Sequence, residues 1–166
     1  MRRVLDIGAA DKSGATDQID IAPFNEKTVV CDVAVEPLPY SDQTFDEVRL
    51  EGTFEHIEAC IHWKEDGKWH RRFPRIELMK EIYRVLKPGG IAHISVPNLE
   101  THAWAHDPTH VDVPIVAETF GYFKGGYDWD NDMSTFLRTS YGIDFKFEHV
   151  EDFQTGSLYT IRLRKP

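Results

Sequence analysis

His56 is the side chain best suited to move a proton near neutral pH, because imidazole titrates there. Glu51 and Glu55 stand close to it in sequence and bring carboxylates that could orient or polarise the ring. A second concentration, His102-Ala103-Trp104-Ala105-His106-Asp107-Pro108-Thr109-His110, holds three of the eight histidines. Histidines four apart can share a helical face and grip a metal. Pro108 breaks such a helix, however, and no cysteine or H-E-x-x-H pattern accompanies them. The segment reads as pocket lining or as a plain loop, with no metal expected, and Asp107, His110 and Trp104 are its candidate contacts to a substrate. Asp128-Trp129-Asp130-Asn131-Asp132 imitates the start of a calcium loop but lacks the later glycine and glutamate. Residues 62–75 carry five Lys/Arg against two acids, with Trp63, Trp69 and Phe73 interleaved. That mixture suits stacking on bases or sugars beside an anion, although a solvated hairpin or loop between helices is the favoured reading.

The elements that position these residues alternate as in an α/β sheet. Arg3 to Ile7 is a short apolar strand ending at Gly8, and Gln18 to Ile21 is a second. Thr28 to Val33 is a continuous apolar run, the pattern of a strand covered on both faces. Phe45 to Leu50 is a fourth strand. Ile76, Met79, Ile82, Tyr83 and Leu86 recur at helical steps, predicting a helix over 75–86 that Lys87-Pro88-Gly89-Gly90 stops. Ile91 to Val96 is the fifth strand, and Phe145 to Phe153 with Leu158 to Arg164 closes the chain as a strand pair. Only 12 positions separate Gly8 from Asp20, too few for a full crossover helix. Neither G-x-G-x-x-G nor G-x-x-x-x-G-K-[ST] occurs, so the first site is built for a ligand without phosphates to neutralise.

Taken in order, these residues resemble a known family. Val4-Leu5-Asp6-Ile7-Gly8 is similar to the first motif of class I S-adenosylmethionine-dependent methyltransferases of the type 11 kind. Ile19-Asp20-Ile21 resembles their second motif. Cys31-Asp32-Val33 and the run from Leu38 to Val48 resemble the third and fourth, and Phe54-Glu55-His56-Ile57 the segment after the fourth strand. Ile82 to Gly90, followed by Ile94-Ser95-Val96-Pro97-Asn98, looks like the family's helix, turn and fifth strand. Asp107-Pro108-Thr109-His110 with Glu118-Thr119-Phe120 is similar to a short bacterial and phage-encoded branch with an abbreviated first crossover. Where the family usually writes G-x-G, this chain has Gly8-Ala9-Ala10.

The resemblance implies a Rossmann-like, mostly parallel sheet with an antiparallel C-terminal pair and a shortened or absent first crossover helix. It implies one domain over 1–166, with 98–141 as a lid or substrate insertion. The implied cofactor is S-adenosylmethionine, and the implied activity is transfer of its methyl group to an O or N acceptor. Asp20 and Ile21 would meet the ribose, and Asp32 with the Val33 backbone the adenine. Asp6, Gly8 and Ala9 would shape the methionine end, with Leu50 and Glu51 on the floor. His56 with Glu55 would be the catalytic pair. Two other readings fit the same residues: a degenerate, non-catalytic interaction domain, and a lyase or hydrolase that consumes the cofactor without an acceptor.

Composition narrows the partners. The formal charge is −9, from 19 Lys+Arg against 28 Asp+Glu, which argues against a general nucleic-acid coat. Nucleic acid would be met only through 62–75, and the expected acceptor is a small molecule or a glycan- or nucleotide-like group. Two cysteines make no disulfide framework, and no apolar run approaches the roughly 20 residues that span a bilayer. The start reads as a strand and not as a signal peptide, so the expected location is cytoplasmic, without a membrane partner. Residues 98–141 hold eight of the twenty aromatics, which predicts an open site closed by that segment or by a second copy in a homo-oligomer.

Overall fold

The computed structural model describes residues 1–10, 14–110, 114–124 and 132–166, apart from the side chains of His106 and of residues 132–135. β1 (Val4–Ile7), β2 (Asp17–Asp20), β3 (Thr28–Val30) and β4 (Phe45–Glu51) come first. A hairpin of β5 (Ile61–Glu65) and β6 (Lys68–Arg72) leads into α1 (Pro74–Val85), which returns the chain to β7 (Leu86–Pro97). Then come α2 (Gly121–Lys124), α3 (Asp132–Tyr141), β8 (Glu148–Thr155) and β9 (Leu158–Arg164). Seven strands form one sheet in the order β3-β2-β1-β4-β7-β9-β8. β1, β2, β3, β4 and β7 are parallel, and β9 runs antiparallel to both its neighbours. This is the Rossmann-like sheet with an antiparallel closing pair that the sequence predicts.

Side chains alternate across a strand, so each strand divides its residues between two faces. One face carries Leu5, Ile7, Ile19, Val48, Leu50, Ala92, Ile94, Ile161 and Leu163, all buried in one core. α1 covers it with Leu78, Met79, Ile82 and Val85, and Phe120, Phe123 and Phe147 fill the rest. Pro74 suits the first turn of α1, where its missing N–H is not needed. Burial of each large α1 side chain contributes about 1.5–3 kcal/mol.

The other face is polar. The strand register links Thr28, Gln18, Asp6, Arg49, His93, Arg162 and Glu151 in one row across all seven strands. Arg162 Nε donates to His93 Nδ1 at 3.3 Å, and burial together with the Arg162 charge holds that imidazole below its usual titration range. Glu47 on the same face is buried and accepts from both Arg2 and Arg49. Parallel sheets are ordinarily covered on both sides. Here, among the described residues, no helix lies between β1 and β2, β2 and β3, or β3 and β4, so this face alternates as a solvated one does.

That corrects one expectation. The apolar run at 28–33 forms a strand only over Thr28–Val30, and Val29 and Val30 are 40% and 57% exposed. β3 is an edge strand, and the chain turns at Asp32, whose carbonyl accepts from Val35 and Glu36. Two boundaries also move. Lys87-Pro88-Gly89-Gly90 lies inside β7, because Leu86 already pairs with Phe45. β8 begins at Glu148, since Phe145 and Phe147 turn inward to pack on Tyr83. His149 is exposed on β8 and meets Asp152 at 2.8 Å.

The described residues of 98–141 fold mainly into short helical turns, at Leu99–Thr101, Ala103–His106 and Ala117–Phe120, before α2 and α3. Phe120 and Phe123 enter the core, while Tyr122 and Phe136 are exposed. The calcium-like run at 128–131, and Asp11 to Ser13 of the first connection, lie outside the described residues. The stretch at 62–75 is a hairpin running into α1. Arg72 pairs with Glu77, and Arg75 is buried over the Phe54 ring, which leaves Lys64, Lys68 and Arg71 as its exposed cations. Among the described residues no helix is long and apolar enough to cross a membrane.

Candidate active site

β1 connects to β2 on one side, while the chain later returns as β4 on the other. Open α/β sheets bind ligands in the crevice such a reversal leaves beyond the carboxyl ends of the strands. A cavity of about 400 Å³ lies there, lined by Ile7, Gly8, Asp20, Asp32, Thr53 and His56 among others. Ile19, Ile21, Val33 and Ile57 supply apolar walls.

Each polar lining residue is set by local structure. Asp20 ends β2, and its carboxylate accepts from the Ala10 N–H at 3.2 Å and the Ala22 N–H at 3.3 Å. A carboxylate offers about four acceptor sites, so Asp20 keeps capacity for a ligand's hydroxyls. Asp32 begins the turn after β3, and its Oδ1 accepts from the Ala34 N–H at 3.0 Å. Gly8 has φ +74°, and its N–H donates to the Ile19 carbonyl at 2.9 Å. A Cβ there would lie 2.0 Å from Thr53 Oγ1, so only glycine fits. Thr53 Oγ1 in turn donates to the Ile7 carbonyl at 3.1 Å, tying the loop after β4 to the end of β1. Ala10 also takes a positive φ, of 45°, where the family's second glycine would sit.

His56 belongs to a second group of polar side chains as well. It sits on the one-turn helix Phe54–His56, and Glu55 beside it is 1% exposed. The turn after Ala103–His106 brings His110 against both, with Nε2 3.9 Å from Glu55 Oε1 and its ring 4.8 Å from that of His56. Trp104 packs on His110, and Asp107 Oδ2 lies 3.9 Å from His110 Nε2. Burial pushes the Glu55 carboxyl above its ordinary range, against the opposing pull of His56, His110 and Arg75. The Thr109 hydroxyl and N–H hold Asp107 below its own.

Gly8, Asp20, Ile21, Asp32, Val33 and His56 thus share one cleft, and Glu55, Trp104, Asp107 and His110 gather at its His56 end. Four other expected site residues stand apart from the lining. Asp6 is half-buried in the polar row, Leu50 is fully buried in the core, Ala9 is buried, and Glu51 is exposed at the end of β4. Sequence reasoning missed Thr53 and Thr109. The Asp107-Pro108-Thr109 run carried a signal for the second, because Asp at the head of a turn accepts from the N–H two residues on, here at 2.8 Å. Thr53 had none, since only the fold sets it on Gly8.

A family model described as "Methyltransferase domain" matches residues 5–94, more than half of the chain. The chain belongs to this methyltransferase family, and its sheet is that of the class I fold. A search of curated proteins gave no match. Among solved structures, a SAM-dependent methyltransferase from Archaeoglobus fulgidus is similar at 20% identity, covering 99% of this chain and 86% of that one, with a TM-score of 0.61. A Pyrococcus horikoshii protein is similar at 17% identity, covering 100% and 83%, with a TM-score of 0.56. The 16S rRNA (adenine(1408)-N(1))-methyltransferase of Catenulisporales acidiphilia, solved with its cosubstrate SAM, matches at 14% identity over 99% and 84%, with a TM-score of 0.56. At these identities the likeness is one of fold.

Proposed function

We propose that this chain binds S-adenosylmethionine in the cleft at the ends of β1–β4 and directs its methyl group to an oxygen or nitrogen acceptor near His56. The observation that carries this reading is the pair of carboxylates, Asp20 at the end of β2 and Asp32 in the turn after β3, in one cavity of about 400 Å³ beside Gly8. Such a cavity lies within the range of cofactor sites, mostly apolar with a few placed polar groups. The bound cofactor would supply an electrophilic methyl on a sulfonium sulfur.

This chain's residues do the rest. Asp20 accepts from the ribose hydroxyls, Asp32 from the adenine amino group beside the Val33 backbone, and Gly8 admits close approach. Ile19, Ile21, Val33 and Ile57 exclude water. His56 Nε2 takes the acceptor's proton, with Glu55, Asp107, His110 and Trp104 around the acceptor. The open cavity and its acidic lining favour this over an eroded interaction module. Calorimetric titration with S-adenosylmethionine and S-adenosylhomocysteine tests it. One-to-one binding of both is expected, and binding of neither would end the reading.

A further inference from the structure

Glu55, His56 and His110 each bring a ligand-type atom to within 4.8 Å of the others. Their hydrogen bonds prepare them in the same way. Nδ1 of His110 lies 2.8 Å from the Trp104 carbonyl oxygen, which can only accept. Nδ1 therefore carries the proton, and the lone pair sits on Nε2, toward Glu55. Nδ1 of His56 lies 3.0 Å from Thr109 Oγ1 and 3.3 Å from the Thr109 carbonyl. The Thr109 hydroxyl hydrogen goes to Asp107 Oδ1 at 2.5 Å, so Oγ1 also accepts from the ring. His56 is likewise protonated at Nδ1 and carries its lone pair on Nε2. Metal-bound histidines are oriented in this manner, by an oxygen that takes the other ring N–H.

Glu55 adds an independent observation. It is 1% exposed, and its Oε2 has no hydrogen-bond partner among the described residues. A buried carboxylate oxygen without a partner is costly, and buried charges are normally paired or bound to metal. Ordinary packing of two neutral imidazoles leaves that oxygen unexplained. A cation gripped by both Glu55 oxygens would give Oε2 its partner while Oε1 faces His110 Nε2.

We propose that Glu55, His56 and His110 form a divalent metal site at the acceptor end of the cleft. Two imidazoles and one carboxylate, without thiolate, suit zinc with an open fourth position. Ligand atoms around a tetrahedral zinc lie about 3.3 Å apart, so the His110 Nε2–Glu55 Oε1 pair at 3.9 Å must close by about 0.6 Å, and separations up to 4.8 Å within the group by up to about 1.5 Å. How the ion would be used rests on the methyl-transfer reading: it would act as a Lewis acid on an acceptor hydroxyl at the open position, easing loss of the hydroxyl proton to water. With the ion in place the His56 Nε2 lone pair is occupied, so the general-base role proposed for His56 gives way to that of a ligand. Pro108 and the missing H-E-x-x-H concealed the site, because two of its ligands come from a separate segment.

The test is metal binding itself. Chelator-stripped protein is titrated with zinc chloride, and separately with cobalt chloride to read the visible absorption of a low-symmetry Co(II) site. One ion per chain is expected, with at least tenfold weaker binding in His110→Ala and Glu55→Gln and loss of the cobalt band. Thr109→Val should weaken binding about tenfold, through the orientation of His56. His62→Ala, beside Cys60 on the exposed hairpin, serves as control and should bind as wild type does. Circular dichroism establishes that each variant is folded. Absent binding, binding unchanged in His110→Ala and Glu55→Gln, or binding lost in His62→Ala would overturn the proposal. Titration of the stripped protein with S-adenosylhomocysteine reports separately on the cofactor cleft.

Discussion

A Cβ on Gly8 would stand 2.0 Å from Thr53 Oγ1, in a backbone conformation of φ +74°. The two loops that frame the cleft are thus packed through a single hydrogen atom. Gly8→Ala adds left-handed strain of about 1–2 kcal/mol and overpacking of about 1–3 kcal/mol. Chemical denaturation should show a loss of about 3 kcal/mol, together with weaker cofactor binding. A variant as stable as wild type would mean that Thr53 moves aside freely.

Ala10 occupies φ +45° next to that turn, and its N–H donates to Asp20. Glycine tolerates this conformation without steric penalty, although it also adds entropy to the unfolded chain. Ala10→Gly should therefore stabilise by about 0.5–1 kcal/mol, raising Tm by a few degrees for a chain of this size. A fall in Tm would contradict the strained conformation.

Glu81 on α1 holds the 38–42 loop. Its carboxylate accepts from Arg84 at 2.6 Å and 2.8 Å and from the Leu38 N–H at 2.9 Å, while Arg84 donates to the Leu38 and Tyr40 carbonyls. The hydrogen bonds to Arg84 hold Glu81 below its ordinary value of 4.5. A depressed carboxyl contributes stability that is fully present above its unfolded value and is lost as pH falls through the folded one. Glu81→Gln should cost about 1 kcal/mol at pH 7, given that the group is partly exposed. It should also flatten the decline in Tm below about pH 4.5. Equal acid sensitivity of the two proteins would remove Glu81 from that account.

Val30 and Ile19 separate the two faces of the sheet. Val30 is 57% exposed on the edge strand, and Ile19 is fully buried beside Ile7. Val30→Thr should stay within about 0.5 kcal/mol of wild type, whereas Ile19→Ala should lose about 2–5 kcal/mol. A large loss at Val30 would mean that something covers the polar face.

These contrasts mark what the sequence could tell. α1 was legible because Met79 and Ile82 repeat at helical spacing, and β1, β2 and β4 because their apolar cores end at Gly8, Asp20 and Glu51. The exposed face of β3 was not legible. Val29 and Val30 read as a buried run, but β3 is the edge strand and, among the described residues, no helix joins β2 to β3 or β3 to β4, which leaves both in solvent. The cleft residues Asp20, Asp32 and His56 followed from motif order. The meeting of Glu55 with His110 did not, because their separation in the chain exceeds any local period and depends on a turn whose key contact is a backbone carbonyl, that of Trp104.

The account rests on Asp20 and Asp32 as the polar contacts of an adenosine group in the β1–β4 cleft. Calorimetric titration of S-adenosylhomocysteine into wild type, Asp20→Asn and Asp32→Asn tests this most directly. Hydrogen bonds to a charged acceptor are worth about 1.5–3 kcal/mol. Asp20→Asn should therefore bind at least tenfold more weakly, and Asp32→Asn should show a smaller loss, with all three proteins folded. Binding equally tight in wild type and Asp20→Asn would contradict the assignment.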